Sequence, residues 1–355
     1  MYPSAHVLRV IDVGSAIDLS AAAAALQAKR GPDLLKGPSG AGGASGVKLA
    51  MPPLDLDLGL RTVAGRETAL RVRLFDFGIA SFRFELDLRA ASAAQLVALG
   101  AEVEDDGGYD EAAREAWRGL APKLESAVIE PLPIDFVEDY AVFVLPCDPD
   151  GGNAPGETIA RMLLGEADAR ALAVERIEAV QSRAIRYFAD DFVVVDYGAA
   201  VIVDANCGAE LVDVFELATA RLLELRYYDA LLAKASEAIV AEAARAARGR
   251  WLLRSPFEHA AERAAALLLE LTELTDRFGR SITLLGDAHS VLVYREAELR
   301  LRINDAQRGV DEKLSSLARF AEVLGDQLHA RRGLTLETVV VLLIAIEIGL
   351  ALLHR

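Results

Sequence analysis

Cysteine is almost missing: Cys147 and Cys207 are the only two in 355 residues. Two thiols that far apart build neither a disulfide framework nor a zinc site, and they fit a reducing compartment. Positive charge is also scarce, with 38 Lys and Arg against 54 Asp and Glu, a net charge of −16. Phosphate contacts need clustered cations, so nucleic acid is excluded as a partner and broad adhesion to anionic lipid heads is disfavoured. The five histidines, His6, His259, His289, His329 and His354, share no metal-ligand spacing. No Gly-x-Ser-x-Gly elbow is present. The opening MYPSAHVLRVID has no basic segment leading into an apolar one, so no secretory signal is expected.

The Gly-rich stretch Gly31–Gly46 (GPDLLKGPSGAGGASG) has no apolar period and reads as a solvated linker. Gly40-Ala41-Gly42 falls short of a dinucleotide fingerprint because Ser45 stands where the third Gly belongs. Gly46-Val47-Lys48 does not form a P-loop either. Glu224, Glu270 and Glu273 resemble the carboxylates of a di-metal bundle, but the Glu-x-x-His pairs of that architecture are missing. No cofactor and no metal are expected, and the balance leans away from an enzyme.

What is present falls into three segments. Residues 1–206 read as a mixed α/β module. His6–Val13 is a strand candidate, and an Ala-rich helix follows over Ile17–Lys29 with Asp18 or Ser20 as cap. Leu54-Asp55-Leu56-Asp57-Leu58 and Phe82-Arg83-Phe84-Glu85-Leu86-Asp87-Leu88 alternate, which predicts half-buried antiparallel strands with charge facing outward. Ser92 with Gln95 has the form of a capping box opening a helix. Tyr140–Leu145 is an apolar strand, and Phe192–Val195 and Ala199–Val203 form a strand pair around Asp196-Tyr197-Gly198. The pattern Asp-x-Gly occurs at Asp12–Gly14, Asp76–Gly78 and Asp196–Gly198, each inside an apolar run. Gly within a strand marks a bulge or a close backbone approach, and that reading outweighs a three-carboxylate metal cluster.

Residues 207–332 carry a four-three spacing of apolar residues. It runs through Leu211, Phe215, Ala218, Leu222 and Leu225, then through Ala260, Ala264, Leu267, Leu271, Leu274 and Phe278. It resumes at Leu285, Ala288, Leu292 and Leu299, and again from Val310 through Leu314, Leu317 and Ala321 to Leu328. Seams this narrow predict a long-helix antiparallel coiled-coil bundle.

The chain then ends, over 333–355, in an apolar helix: Leu334 to Leu353 is LTLETVVVLLIAIEIGLALL, with thirteen Val, Leu or Ile in twenty. Twenty helical residues span roughly 30 Å, the hydrocarbon thickness of a bilayer. Glu347 is the main cost of insertion, and Ala345 with Gly349 makes a small-xxx-small face for close helix approach. The expectation is an α+β protein with a C-terminal transmembrane helix, its body on the cytoplasmic face of the inner membrane. Its partners would be the lipid bilayer and further copies of itself, and its role that of a non-enzymatic scaffold. The alternative is a soluble enzyme or ligand-binding protein whose tail is a core helix. Its site would lie between strand 192–203 and the helix over 209–247, lined by Arg226, Tyr228 and Asp229.

Phe192-Val193-Val194-Val195-Asp196-Tyr197-Gly198, the all-helical stretch after it, and Arg331-Arg332-Gly333-Leu334-Thr335-Leu336-Glu337 before VVVLLIAIEI together resemble the Required for Meiotic Nuclear Division family. The resemblance covers about Asp190 to Leu353, and Leu336-Glu337-Thr338 stands where that family often has Leu-Glu-Trp. It implies a membrane-tethered oligomer without an established enzymatic site.

Overall fold

The computed structural model describes residues 3–26, 48–49, 51–105, 107–146, 156–168, 172–188, 191–204, 208–248, 282–283 and 288–323, with isolated helical positions at 265, 266, 269, 341 and 344. They divide into two compact units, one of 1–227 with 276–306 and one of 228–275 with 307–355.

The first unit is organised on a seven-stranded mixed sheet. Its strands are β1 (Ser4–Asp12), β4 (Leu54–Val63), β5 (Arg66–Leu74), β6 (Ile79–Asp87), β8 (Val137–Leu145), β9 (Phe192–Val195) and β10 (Ala199–Val203). They lie in the order β4-β5-β6-β1-β8-β10-β9. β8 and β10 run parallel, and the other pairs are antiparallel. Two small ribbons accompany it. β2 (Gly14–Ile17) pairs with β7 (Val128–Pro131), and β3 (Lys48–Leu49) with β11 (Ile282–Thr283).

Alternation along the strands assigns the two faces. Val7, Ile11, Val72, Phe82, Phe84, Ala141, Phe143 and Val201 point into one core, which α1 (Leu19–Leu26), α2 (Ala93–Glu104), α3 (Tyr109–Leu124), α4 (Gly156–Leu163) and α5 (Val174–Gln181) help to form. Local chemistry starts two of these helices. Asp18 Oδ1 accepts from the amides of Ser20 and Ala21, and Ser92 with Gln95 forms a complete capping box.

The other face carries His6, Arg71, Arg73, Ser81, Arg83 and Tyr140, and the first turns of α6 (Ala209–Arg248) meet it. Phe215 stacks on Tyr140 with ring centroids 5.4 Å apart. Arg73 Nη1 and Arg83 Nη2 both reach Asp213 and Glu216 of α6 at 2.5–2.7 Å. The part of the charged side of β5 and β6 that carries Arg73 and Arg83 is therefore covered and paired, not simply turned to water. His6 sits among these charges, and burial together with Arg83 pushes its imidazole down to about 3.

Two of the expected seams are buried in a different pattern. Between 211 and 225 of α6, Val212, Val214, Leu217, Ala220 and Leu223 are as buried as Leu211, Phe215 and Leu222. A helix buried nearly all round is a core helix, whereas a coiled coil buries a two-in-seven stripe. In α7 (Ala288–Arg300), Leu292 and Leu299 are exposed, and Ser290, Val293, Tyr294 and Ala297 are the buried residues. The seam of Ala260–Phe278 lies outside the described residues. The second unit contains the remainder of α6 and most of α8 (303–323), with Leu232, Ile239, Val310 and Leu317 buried and Lys313 Nζ 2.6 Å from Asp229 Oδ1.

The C-terminal transmembrane helix is corrected as well: among the described residues no helix is long and apolar enough to cross a membrane. Of 334–353 only Val341 and Ile344 are described, so Ala345, Glu347 and Gly349 lie outside the described residues. An apolar run records that side chains avoid water, and does not name the medium that replaces it. The membrane-anchored scaffold falls with that helix, and the architecture is α+β around one large mixed sheet.

Candidate functional site

The sheet face opposite α6 opens into a cavity of about 360 Å³. Its floor is apolar: Ala141 and Phe143 of β8, Ala199 of β10, Val103 of α2, and Met162 to Leu164 at the end of α4. Its rim is acidic, formed by Glu104, Asp139 and Asp196. Adjacent residues of a strand face opposite ways. In Glu138-Asp139-Tyr140, therefore, Asp139 joins the cavity while Glu138 and Tyr140 face the α6 side.

Two glycines let the helix ends converge here. A Cβ on Gly100 would meet the Met162 carbonyl oxygen at 2.5 Å, so α2 and α4 touch backbone to backbone. Gly165, at φ +60°, leaves room for the Glu104 carboxylate, whose Oε2 would lie 1.4 Å from a Cβ there. Both helices present their C-terminal ends to the cavity. Each such end carries about half a negative charge, which adds to the three carboxylates. Burial, together with Asp105, Glu166, Asp139 and Asp196, raises the Glu104 carboxyl above its ordinary range.

The Asp196-Tyr197-Gly198 turn is held from both sides. Tyr140 Oη donates to the Asp196 carbonyl at 3.0 Å, the Ala141 amide donates to the Gly198 carbonyl at 3.0 Å, and Arg183 Nη1 lies 3.2 Å from Asp196 Oδ1. Tyr197 Oη accepts from Arg226 Nη2 at 2.8 Å, and Arg226 Nη1 binds Glu138 at 2.5 Å. Burial raises the Glu138 carboxyl above its usual range, although Arg226 opposes it. Of the three polar residues picked from sequence, Arg226 is thus engaged with Glu138 and Tyr197, Asp229 with Lys313, and Tyr228 is buried. On the faces where strand 192–203 and α6 were expected to enclose a pocket, Val193, Val195, Ala200, Ile202, Leu211, Phe215 and Ala218 are all buried core.

Glu104 and Asp139 were not singled out by sequence reasoning. The usable signal was Asp139 itself, a charge on the core-facing phase of β8, whose other members Val137, Ala141, Phe143 and Leu145 are apolar. Among the described residues no group of three or more His, Cys, Asp or Glu is placed to hold a metal ion. Of the three Asp-x-Gly segments, the first two meet, with the Val13 amide donating to the Gly78 carbonyl at 3.0 Å, while Gly198 bonds to β8.

The sequence of residues 3–210 matches the family described as "Uncharacterized protein MJ0711, N-terminal domain". A relative, uncharacterized protein MJ0711 of Methanocaldococcus jannaschii, is 25% identical over 222 residues, which is 61% of this chain and 66% of that protein. The chain thus spans just under two thirds of that relative's length. No solved structure matches. These matches overturn the resemblance to the Required for Meiotic Nuclear Division family, which rested on a short strand motif and an apolar tail in the C-terminal half, whereas the matched domain is N-terminal. Short apolar motifs recur wherever strands and helices are buried, so their likeness carries little specificity. The chain belongs to the family of the MJ0711 N-terminal domain.

Proposed function

We propose that the N-terminal domain binds a small amphipathic cation, an amine on an apolar body, in the cavity beside Asp139. The observation that carries this reading is the meeting of two helix C-termini and three carboxylates over an apolar floor. The floor supplies affinity at about 0.8 kcal/mol per buried methylene, and the negative rim selects the charge. A cavity of about 360 Å³ stands at the small end of ligand sites and suits a body of a few carbons. Arg183 compensates Asp196, which leaves Glu104 and Asp139 as the groups that face the ammonium.

Titration calorimetry of the full chain with n-alkylamines and the matching n-alkanols tests this. Amines should bind at least about tenfold more tightly than alcohols of equal length, a difference of about 1.4 kcal/mol. Glu104→Gln with Asp139→Asn should remove that difference. Equal affinity for amine and alcohol, or no heat from either, would overturn the reading.

A further inference from the structure

A second cavity, of about 300 Å³, lies on the opposite face of the sheet, where β4, β5 and β6 meet the first turns of α6. Strand register places Arg71 directly across from Asp57 on one side and from Arg83 on the other. The buried ionic group behind it is largely self-satisfied: Arg73 and Arg83 share Asp213 and Glu216. Two capacities are left over. Arg83 donates only through Nη2, and Arg71 makes no ion pair or hydrogen bond among the described residues. These two guanidiniums, neighbours on adjacent strands, are an oxyanion clamp with free N–H groups. The opposite capacity is an acceptor. The Glu216 side chain is 1% exposed and lines the cavity, and its Oε1 has no hydrogen-bond partner among the described residues. A buried carboxylate oxygen left unpaired is costly, so an N–H donor brought to it is rewarded.

A simple anion would meet Asp57 and Glu216 as well as the arginines, and a simple cation would meet Arg71. A molecule carrying both charges satisfies both ends. We infer that this cavity is a binding site for a small zwitterion of the amino-acid class, its carboxylate on Arg71 and Arg83 and its ammonium toward Asp57 and Glu216. The inference stands apart from the amine cavity, which lies on the other face and shares no residue with it.

The test is calorimetry of the full chain with glycine, β-alanine and γ-aminobutyrate, beside acetate and methylammonium as single-charge probes. One of the three zwitterions should bind at least about tenfold more tightly than either single-charge probe, because the clamp and the acceptor act together. Arg71 is exposed and makes no ion pair or hydrogen bond among the described residues, so Arg71→Gln should leave the melting temperature unchanged and weaken that zwitterion by about tenfold or more. Acetate binding as tightly as every zwitterion, no heat from any probe, or an Arg71→Gln protein that binds as well as the parent would each overturn it.

Discussion

Gly78 lies against the carbonyl of Gly14 so closely that a Cβ on Gly78 would sit 1.8 Å from that oxygen. Gly78 also has φ +91°, a conformation that L side chains rarely adopt. β2 and the turn leading into β6 are locked there backbone to backbone, with the Ile17 amide also donating to the Asp76 carbonyl at 3.0 Å. Gly78→Ala should cost about 3 kcal/mol or more, from left-handed strain plus displacement of a strand. Gly198, the third of these glycines, has open space around it and no positive φ. Gly198→Ala should stay within about 0.5 kcal/mol of the parent. Urea midpoints of the two variants check the contrast.

That contrast marks how far the sequence could be read. The strand pair Phe192–Val195 and Ala199–Val203 and the cap at Ser92 were legible because they depend on neighbours a few residues away. The alternation in β4 and β6 showed one charged face, but not that Asp213 and Glu216 would cover part of it. Pairing between such distant segments leaves no local trace. For the same reason the amine cavity stayed hidden: Glu104, Asp139 and Asp196 come from a helix, a strand and a turn. The four-three spacing from Leu211 misled, since a seam and a fully buried helix agree at the a and d positions and differ only between them.

Asp12 gives the protein a pH dependence of definite sign. Burial raises its carboxyl from 3.8 to about 7, although the Gly14 amide works against the rise. The folded state therefore holds this proton more tightly than the unfolded state. The stabilisation is complete below about pH 4 and is lost as pH rises to about 7, where it levels off. A shift of that size corresponds to roughly 4 kcal/mol at most. Asp12→Asn cannot titrate, so relative to the parent it should gain stability between pH 4 and pH 8. Chemical unfolding of both proteins across that range measures the slope, and parallel curves would contradict the assignment.

Arg83 carries part of the attachment of α6 to the sheet. Burial works to raise the Asp213 carboxyl, but Arg73 and Arg83 overcome it and hold it at about 2. A depressed carboxylate stabilises the fold above its unfolded value of 3.8, and that contribution is lost as pH falls through 2. Arg83→Met leaves Asp213 and Glu216 to share Arg73 alone, with buried negative charge uncompensated. The cost at neutral pH should be about 3–5 kcal/mol. On acidification to pH 4 the gap to the parent should narrow, since a carboxyl relieved of Arg83 takes up its proton earlier. A gap independent of pH would show that lost packing, not lost charge, sets the penalty.

Gly165→Ala separates the charge of the amine cavity from its shape. A Cβ at that position would lie 1.4 Å from Glu104 Oε2 and 2.6 Å from Glu104 Cδ. The carboxyl is the end of a flexible side chain, so it moves aside at small expense. The backbone, at φ +60°, accounts for the main loss of stability, about 1–2 kcal/mol. The apolar floor of Ala141, Phe143 and Met162 is left in place. Alkanol binding should therefore be unchanged, while alkylamine affinity should fall to the level of Glu104→Gln. If the amine binds Gly165→Ala as tightly as the parent while Glu104→Gln weakens it, the Glu104 carboxylate reaches the ligand from a position that Gly165 does not set.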